Sequence, residues 1–298
     1  MAEPAKTSTR CGFVALIGAP NVGKSTLVNA LVGTKVSIVT PKAQTTRALI
    51  RGIATDGAAQ LILVDTPGFQ TRHRNGLNRA MNRTVRAALE GVDVVALVAE
   101  AGRFGAEDRA VLKLAPPGQK LFLVVNKIDA LDAARLPAFL QRVSGEAKFD
   151  EIVPVSARRR KGLGELLRTL ERYLPEQPAI HSADELTDSN ERVLAAEFIR
   201  EKLFRHLGQE LPYGAHVEIE KYEELRGVRR IHASIVVEKE GHKAMVIGAG
   251  GSKLKTIASE ARQDMEKLFG GKVYLEAWVK VRGGWTDDEI ALKRMGYG

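Results

Sequence analysis

The 298-residue chain predicts a doubly wound α/β domain followed by a smaller α+β domain. Three observations carry this expectation. Apolar runs of strand length alternate with helical patterns from Phe13 to Tyr173. Pro175 and Pro178 then stop the pattern, and Glu176 to Asn190 is polar. Beyond it the order becomes helix, two alternating strands, two helices and a last strand. The chain divides into a tail at 1–10, a first domain at 11–176, a linker at 177–190 and a second domain with a C-terminal tail at 191–298.

The first strand, Phe13 to Ile17, ends at Gly18, and a helix begins at Lys24-Ser25-Thr26. Ala19, Pro20, Asn21, Val22 and Gly23 lie between. Strand, Gly-x-x-x-x-Gly-Lys-Ser and helix, in that order, form a phosphate-binding loop in its confirming context. Glycines let backbone N–H groups turn inward around a β-phosphate, and the helix N-terminus adds positive potential. Lys24 reaches the β- and γ-phosphates, and the Ser25 hydroxyl can ligate Mg²⁺.

Val36 to Ala48 is polar, lacks helical periodicity and reads as a mobile loop. A strand, Leu49 to Ala54, turns at Thr55-Asp56-Gly57 into a second, Gln60 to Val64. That strand delivers Asp65-Thr66-Pro67-Gly68, followed by Phe69. Asp65 can hold Mg²⁺ indirectly or through water, and the Gly68 N–H can bond a γ-phosphate. Leu77, Met81, Val85 and Leu89 recur at helical spacing and should face the core, leaving Arg79, Arg83 and Arg86 on another face. A strand at Val92 to Ala99 and a helix at Gly105 to Leu114 precede a strand at Lys120 to Val125. It delivers Asn126-Lys127-Ile128-Asp129, a reader of guanine: Asp129 can accept bonds from N1–H and N2–H₂, donors that adenine lacks on that edge. Asn126 ties the loop and the Lys127 stem can lie over the ring. After a strand at Ile152 to Val155, a backbone N–H of Ser156-Ala157 can bond guanine O6. A helix, Gly164 to Tyr173, closes the domain.

No window offers the roughly 18 consecutive apolar residues of a membrane span, and Met1 to Arg10 lacks an apolar signal core. A single cysteine, Cys11, leaves no internal disulfide framework and fits a reducing cytoplasm. The net charge is +9. Residues 1–178 hold 26 Lys+Arg against 16 Asp+Glu, and residues 179–298 hold 19 against 20, so the excess lies in the first part. It concentrates at Arg72, Arg74, Arg79, Arg83 and Arg86, and at Arg158-Arg159-Arg160-Lys161. By charge alone, a polyanionic partner and a solvated basic face stand level.

In the second part, Glu191 to Leu207 is helical, with Val193, Leu194, Phe198 and Leu203 on its apolar side. His216 to Tyr222 and Arg230 to Val237 alternate as strands joined by a turn near Arg226-Gly227. Then come Ile247, Gly248, Ala249, Gly250, Gly251, Ser252, Lys253, Leu254 and Lys255, a helix from Ser252 to Phe269, and a strand from Lys272 to Val281. Ile-Gly-x-x-Gly-x-x-Leu in an α-β-β-α-α-β order resembles a KH module of type II. In that resemblance the glycines bring backbone close to about four nucleotides of single-stranded nucleic acid, Lys253 and Lys255 meet phosphates, and Ile247 and Leu254 line the groove. Trp278 is expected in the core by strand alternation, and Trp285 is expected to stack on a base.

The phosphate loop, Lys42-Ala43-Gln44-Thr45-Thr46-Arg47, Asp65-Thr66-Pro67-Gly68, Asn126-Lys127-Ile128-Asp129 and Ser156-Ala157 together resemble the translation-factor-class GTPases. With one such domain and a C-terminal KH module, the chain is similar to a family of bacterial ribosome-assembly GTPases. A relative with two tandem GTPase domains is excluded, because one phosphate loop is present. The resemblance implies hydrolysis of GTP to GDP with Mg²⁺, and Thr45 or Thr46 meeting the metal in the GTP state. It implies binding of the 3′ end of 16S rRNA and a role in assembly and maturation of the small (30S) subunit. A monomer in the cytoplasm, with peripheral contact at the inner face of the cell membrane, is implied likewise. Phe69 stands where Ras-type enzymes place a water-orienting glutamine, so slow turnover is expected. Asn21 matches an asparagine that ligates K⁺ in related GTPases, and K⁺ there would supply the charge of an arginine finger. Two rival readings are a non-catalytic RNA-binding adaptor and a membrane-associated cell-cycle GTPase.

Overall fold

The computed structural model describes residues 9–42, 45–71, 75–208 and 214–297. Ala43, Gln44, Arg72 and Arg74, singled out above, lie outside the described residues, as does most of the tail at 1–10.

The first domain runs β1 (Arg10–Ile17), α1 (Lys24–Val32), β2 (Ile50–Asp56), β3 (Ala59–Asp65), α2 (Gly76–Ala87), β4 (Val94–Glu100), α3 (Ala106–Leu112), β5 (Lys120–Asn126), α4 (Leu136–Ser144), β6 (Glu151–Pro154) and α5 (Leu163–Glu171). Its six strands lie in the order β2-β3-β1-β4-β5-β6. β2 runs antiparallel to β3, and the other neighbours are parallel. Helices cover both faces, so the strands are apolar almost throughout. Alternation along β1 shows the division: Val14 and Leu16 pack with Leu27 and Val28, whereas Ala15 and Ile17 pack with Val85 and Leu89. Helix α4, which has Pro137 in its first turn, was not expected from the sequence.

The predicted linker follows the outer edge of this sheet. Ile53 N–H donates to the Leu186 carbonyl at 2.9 Å. The Gln60 side-chain oxygen accepts from the N–H groups of Ile180 and His181, each at 2.9 Å. A polar segment thus covers the edge strand β2 and satisfies its outward backbone.

The second domain comprises α6 (Glu191–His206), β7 (His216–Leu225), β8 (Val228–Val237), α7 (Glu240–Ile247), α8 (Ser252–Phe269), β9 (Lys272–Val281) and α9 (Glu289–Arg294). The sheet order is β7-β8-β9, with β7 antiparallel and β9 parallel to β8. Arg226 (φ 53°) and Gly227 (φ 72°) make the two-residue hairpin turn, in the left-handed region that strand twist demands. Leu194, Phe198, Ile257 and Met265 bury one sheet face with Ile231, Ala233 and Ile235.

Three expectations are corrected. Val193 is 38% exposed, not on the buried side of α6. Trp278 is half-buried on the face of β9 opposite Val279, outside the core. Trp285, expected to stack on a base, is fully buried. It packs among Leu77, Met81, Val236, Leu292 and Tyr297, and its Nε1 donates to the Gly214 carbonyl at 3.2 Å. The cause is the C-terminal segment, which folds back to place this ring against α2.

Among the described residues, two of the contacts between the domains matter for the site. Ile38 and Ile50 of the first domain belong to the apolar core of the second. At the other contact, α2 begins against the C-terminal segment. Gly76 N–H donates to Asp287 Oδ1 at 2.7 Å and Leu77 N–H to the Thr286 carbonyl at 2.9 Å. Those N–H groups have no partner within the helix, and the second domain supplies one.

Candidate functional site

The carboxyl ends of β1, β3, β5 and β6 deliver four motifs to one edge of the sheet, where ligands of doubly wound folds bind. Gly23 has φ 97°, and a Cβ there would lie 2.4 Å from Asn126 Nδ2. Glycine is therefore required for both conformation and space. Lys24 is buried, and its Nζ donates to the carbonyls of Gly18 at 3.0 Å and Ala19 at 3.1 Å. Burial pulls its pKa down to about 8, against the opposing pull of the Asp65 charge.

The hydroxyls of Ser25 and Thr46 stand 2.8 Å apart. Thr45 turns elsewhere, bonding the Thr40 hydroxyl and the Lys42 carbonyl at 2.6 Å each, so Thr46 is the threonine brought to Ser25. Asp65 is fully buried; its Oδ2 accepts from Ser37 Oγ at 2.6 Å, and its Oδ1 has no hydrogen-bond partner among the described residues. Burial pushes this carboxyl up, with the Ser25 and Ser37 hydroxyls and the Lys24 charge opposing. A small divalent cation fits two convergent hydroxyls beside an unsatisfied buried carboxylate oxygen. Ser25, Thr46 and Asp65 would hold Mg²⁺, directly or through water, and its charge would offset that of bridging phosphates.

The cleft beside these groups has a volume of about 290 Å³, with Asn21, Lys24, Ser25, Thr26, Thr46 and Gly68 among its walls. A Cβ on Gly68 would lie 2.9 Å from Pro20 Cα, so this turn closes against the phosphate loop. Thr66 Oγ1 donates to the Leu16 carbonyl at 2.7 Å, and Phe69 N–H to the Gly18 carbonyl at 3.3 Å. Pro67 is buried between them. The Phe69 ring packs on the core shared by Val85 and Leu89.

Asn126 joins three loops. Its Nδ2 donates to the Val22 carbonyl at 3.0 Å, and its Oδ1 accepts from Ala157 N–H at 3.0 Å. Asp129 accepts from Ser156 Oγ at 2.5 Å, and this bond holds its carboxyl below the usual range. Asp129 is thereby ionised and oriented as an acceptor. Ile128 packs on the core beneath, and Lys127 Nζ pairs with Glu100 at 2.6 Å. Asn29, Ser37 and Glu100 were not found by sequence reasoning. Asn29 Oδ1 accepts from the N–H groups of Val36 at 2.9 Å and Ser37 at 2.8 Å, pinning the loop that carries Thr46. A lone Asn in a helix carries no sequence signal for such a role.

In the second domain α7 ends at Gly248 (φ 72°), and Gly250 (φ 55°) and Gly251 (φ 78°) continue in the left-handed region. Ala249 and Gly250 are exposed, and Ser252 opens α8. A Cβ on Gly248 would lie 2.7 Å from Lys253 Cβ, so the turn closes on its own helix. A groove of about 420 Å³ adjoins it, with Gly251, Leu254, Lys255, Ala258, Arg262 and Leu275 among its walls. Ile247 and Leu254 both pack, half-buried, against the core beside it. Arg262 adds a cation that the sequence did not single out.

The sheet, phosphate loop, cation set and guanine-type loop define a P-loop GTPase domain, joined here to a KH module. Consistent with this, residues 13–127 match the family described as 50S ribosome-binding GTPase, and residues 210–286 match the KH domain family. GTPase Era of Nitrosomonas eutropha is 53% identical over 289 residues, which is 97% of this chain and 98% of that one. The chain belongs to the Era family of GTPases, enzymes that hydrolyse GTP. Two solved structures agree, each at 35% identity with a TM-score of 0.92 over 97% of this chain. One is a tyrosine-to-alanine variant of Aquifex aeolicus Era bound to GDP·AlF₄⁻, all of which is covered. The other is Era with MgGDPNP and nucleotides 1506–1542 of 16S ribosomal RNA, of which 99% is covered.

Proposed function

We propose that the chain couples GTP turnover to binding of the unpaired 3′ end of 16S rRNA, and so assists assembly and maturation of the 30S subunit. The observation that carries this is the full-length likeness to the Era structure that holds both a GTP analogue and that rRNA segment. Residues 18–26 would cradle the phosphates, Ser25, Thr46 and Asp65 would hold Mg²⁺, and Gly68 N–H would report the γ-phosphate. Asn126, Asp129 and Ala157 would select guanine. Gly248 to Lys255 would bring backbone and cations to the RNA strand.

Phe69 faces the core and cannot orient water, so intrinsic turnover is slow. Asn21 donates to the Pro41 carbonyl at 3.1 Å beside the cleft, a place where K⁺ would add positive charge in the transition state. Equal rates in sodium and potassium buffers would remove K⁺ from the account. Among the described residues no helix is long and apolar enough to cross a membrane. Membrane contact would therefore be peripheral, and flotation with anionic vesicles tests it. The central experiment measures RNA affinity with GDP and with a non-hydrolysable GTP analogue. A clear difference is expected; identical affinities would sever the two sites.

A further inference from the structure

The second domain's sheet has a second face, opposite the one that α6 and α8 cover. Cross-strand register sets Arg230 beside Tyr274, His232 beside Glu276 and Ser234 beside Trp278 on it. Tyr274 is 52% exposed, and the His232 ring lies 6.3 Å from Tyr274 and 6.4 Å from Trp278. Arg226 and Arg230 are exposed at one end, and Lys280 lies over the Trp278 ring at 5.7 Å. A broad depression of about 840 Å³ has Arg226, Arg230, His232, Tyr274 and Glu276 in its walls.

Two features point to the occupant. The exposed Tyr274 ring, beside the half-buried His232 and Trp278 rings and two exposed guanidinium groups, suits flat π-faces joined by phosphates, and a stacked base gains from the ring and the nearby cation. The depression also adjoins the Gly-x-x-Gly groove across a single strand. β9 is the edge strand, and Glu276 belongs to the walls of both. A strand leaving the groove over β9 arrives at Tyr274.

We infer that this face is a second RNA-binding surface, which stacks unpaired nucleotides flanking the about four held in the Gly-x-x-Gly groove. Tyr274 is the stacking platform, His232 extends it, and Arg226 and Arg230 meet the phosphates. The inference rests on the RNA-binding reading above and adds a second contact to it.

The test uses the full chain and two RNAs: one of about four nucleotides that fills the groove, and one of about ten that carries the same segment with unpaired flanks. Tyr274→Ala should weaken the longer RNA by about fivefold or more and leave the shorter unchanged. Tyr274→Phe should restore the longer. Arg230→Ala should lower the salt slope for the longer RNA alone by roughly one unit. Wild-type affinity of Tyr274→Ala for both RNAs overturns the inference, as does equal loss on both. A wild-type chain that binds neither RNA fails the underlying reading instead, and is told apart by that result.

Discussion

Lys24 lies under the carbonyls of the loop that it serves, and burial lowers its pKa to about 8. The unfolded chain, with a value of 10.5, then holds more protons between pH 8 and 10.5, so stability without nucleotide should rise with pH across that window. A bound triphosphate restores the charge. Nucleotide binding near pH 8.5 should therefore take up part of a proton, absent near pH 7. Calorimetry in buffers of different ionisation heat measures it, and a pH-independent heat correction would contradict it. Gly23 offers a second test. Gly23→Ala must displace Asn126, whose amide ties the loop of residues 126–129 to the loop of residues 18–24. Guanine nucleotide affinity should fall by about tenfold or more, as expected for losing a buried polar contact of about 1–3 kcal/mol. Titration with a fluorescent GDP analogue reads it.

At the scale of elements, the loop between α1 and β2 is organised by α6. Glu201, fully buried, accepts from Val39 N–H at 3.1 Å and from Arg205 at 2.9 Å, and pairs with Lys35. Lys35 and Lys202 also meet Asp264, each at 2.6 Å. Lys42 donates to the carbonyls of Leu207 at 2.6 Å and Gly208 at 3.1 Å, at the C-terminal end of α6. The segment carrying Thr46 is thus clamped by a helix of the other domain. Glu201→Ala leaves the buried Lys202 and the half-buried Lys35 to share Asp264 and removes the acceptor of Val39 N–H, and should cost about 1–3 kcal/mol. Urea unfolding measures the loss, and faster hydrogen exchange at Val39 locates it in the loop. These bonds explain why a polar segment without helical or strand periodicity has a defined path: its partners lie some 160 residues away in the chain.

For the whole molecule, His216 sits at the domain junction, with Nδ1 at 2.9 Å from the Tyr297 hydroxyl. Burial, and then the charges of Arg47 and Arg200, lower its pKa from 6.5 to about 3. The unfolded chain holds more protons between pH 3 and 6.5, so stability should fall as acid is added through that range. His216→Gln should make the acid limb of a plot of melting temperature against pH shallower; equal slopes would assign acid sensitivity elsewhere. Arg47 reaches the same junction, donating to the Ala215 carbonyl at 2.8 Å one residue after Thr46. A change at the cation site therefore has a direct covalent and hydrogen-bonded route to the second domain.

Local pattern determined much of this protein. Alternation and helical spacing marked the strands and most helices, because each reflects which side chains leave water within a few residues. The four motifs that converge at the strand ends were legible because the chemistry proposed for each needs fixed residue types at the end of a strand. Tertiary structure decided what distance in sequence concealed. Trp285 is buried instead of free to stack, because its burial depends on α2, more than 200 residues earlier. Thr46 was separated from Thr45 by a hydroxyl contact to Ser25. The polar linker proved to be an edge cover, and the loop around Thr46 a clamped segment. In each case the deciding partner comes from another element, and a pattern read over ten residues holds no information about it.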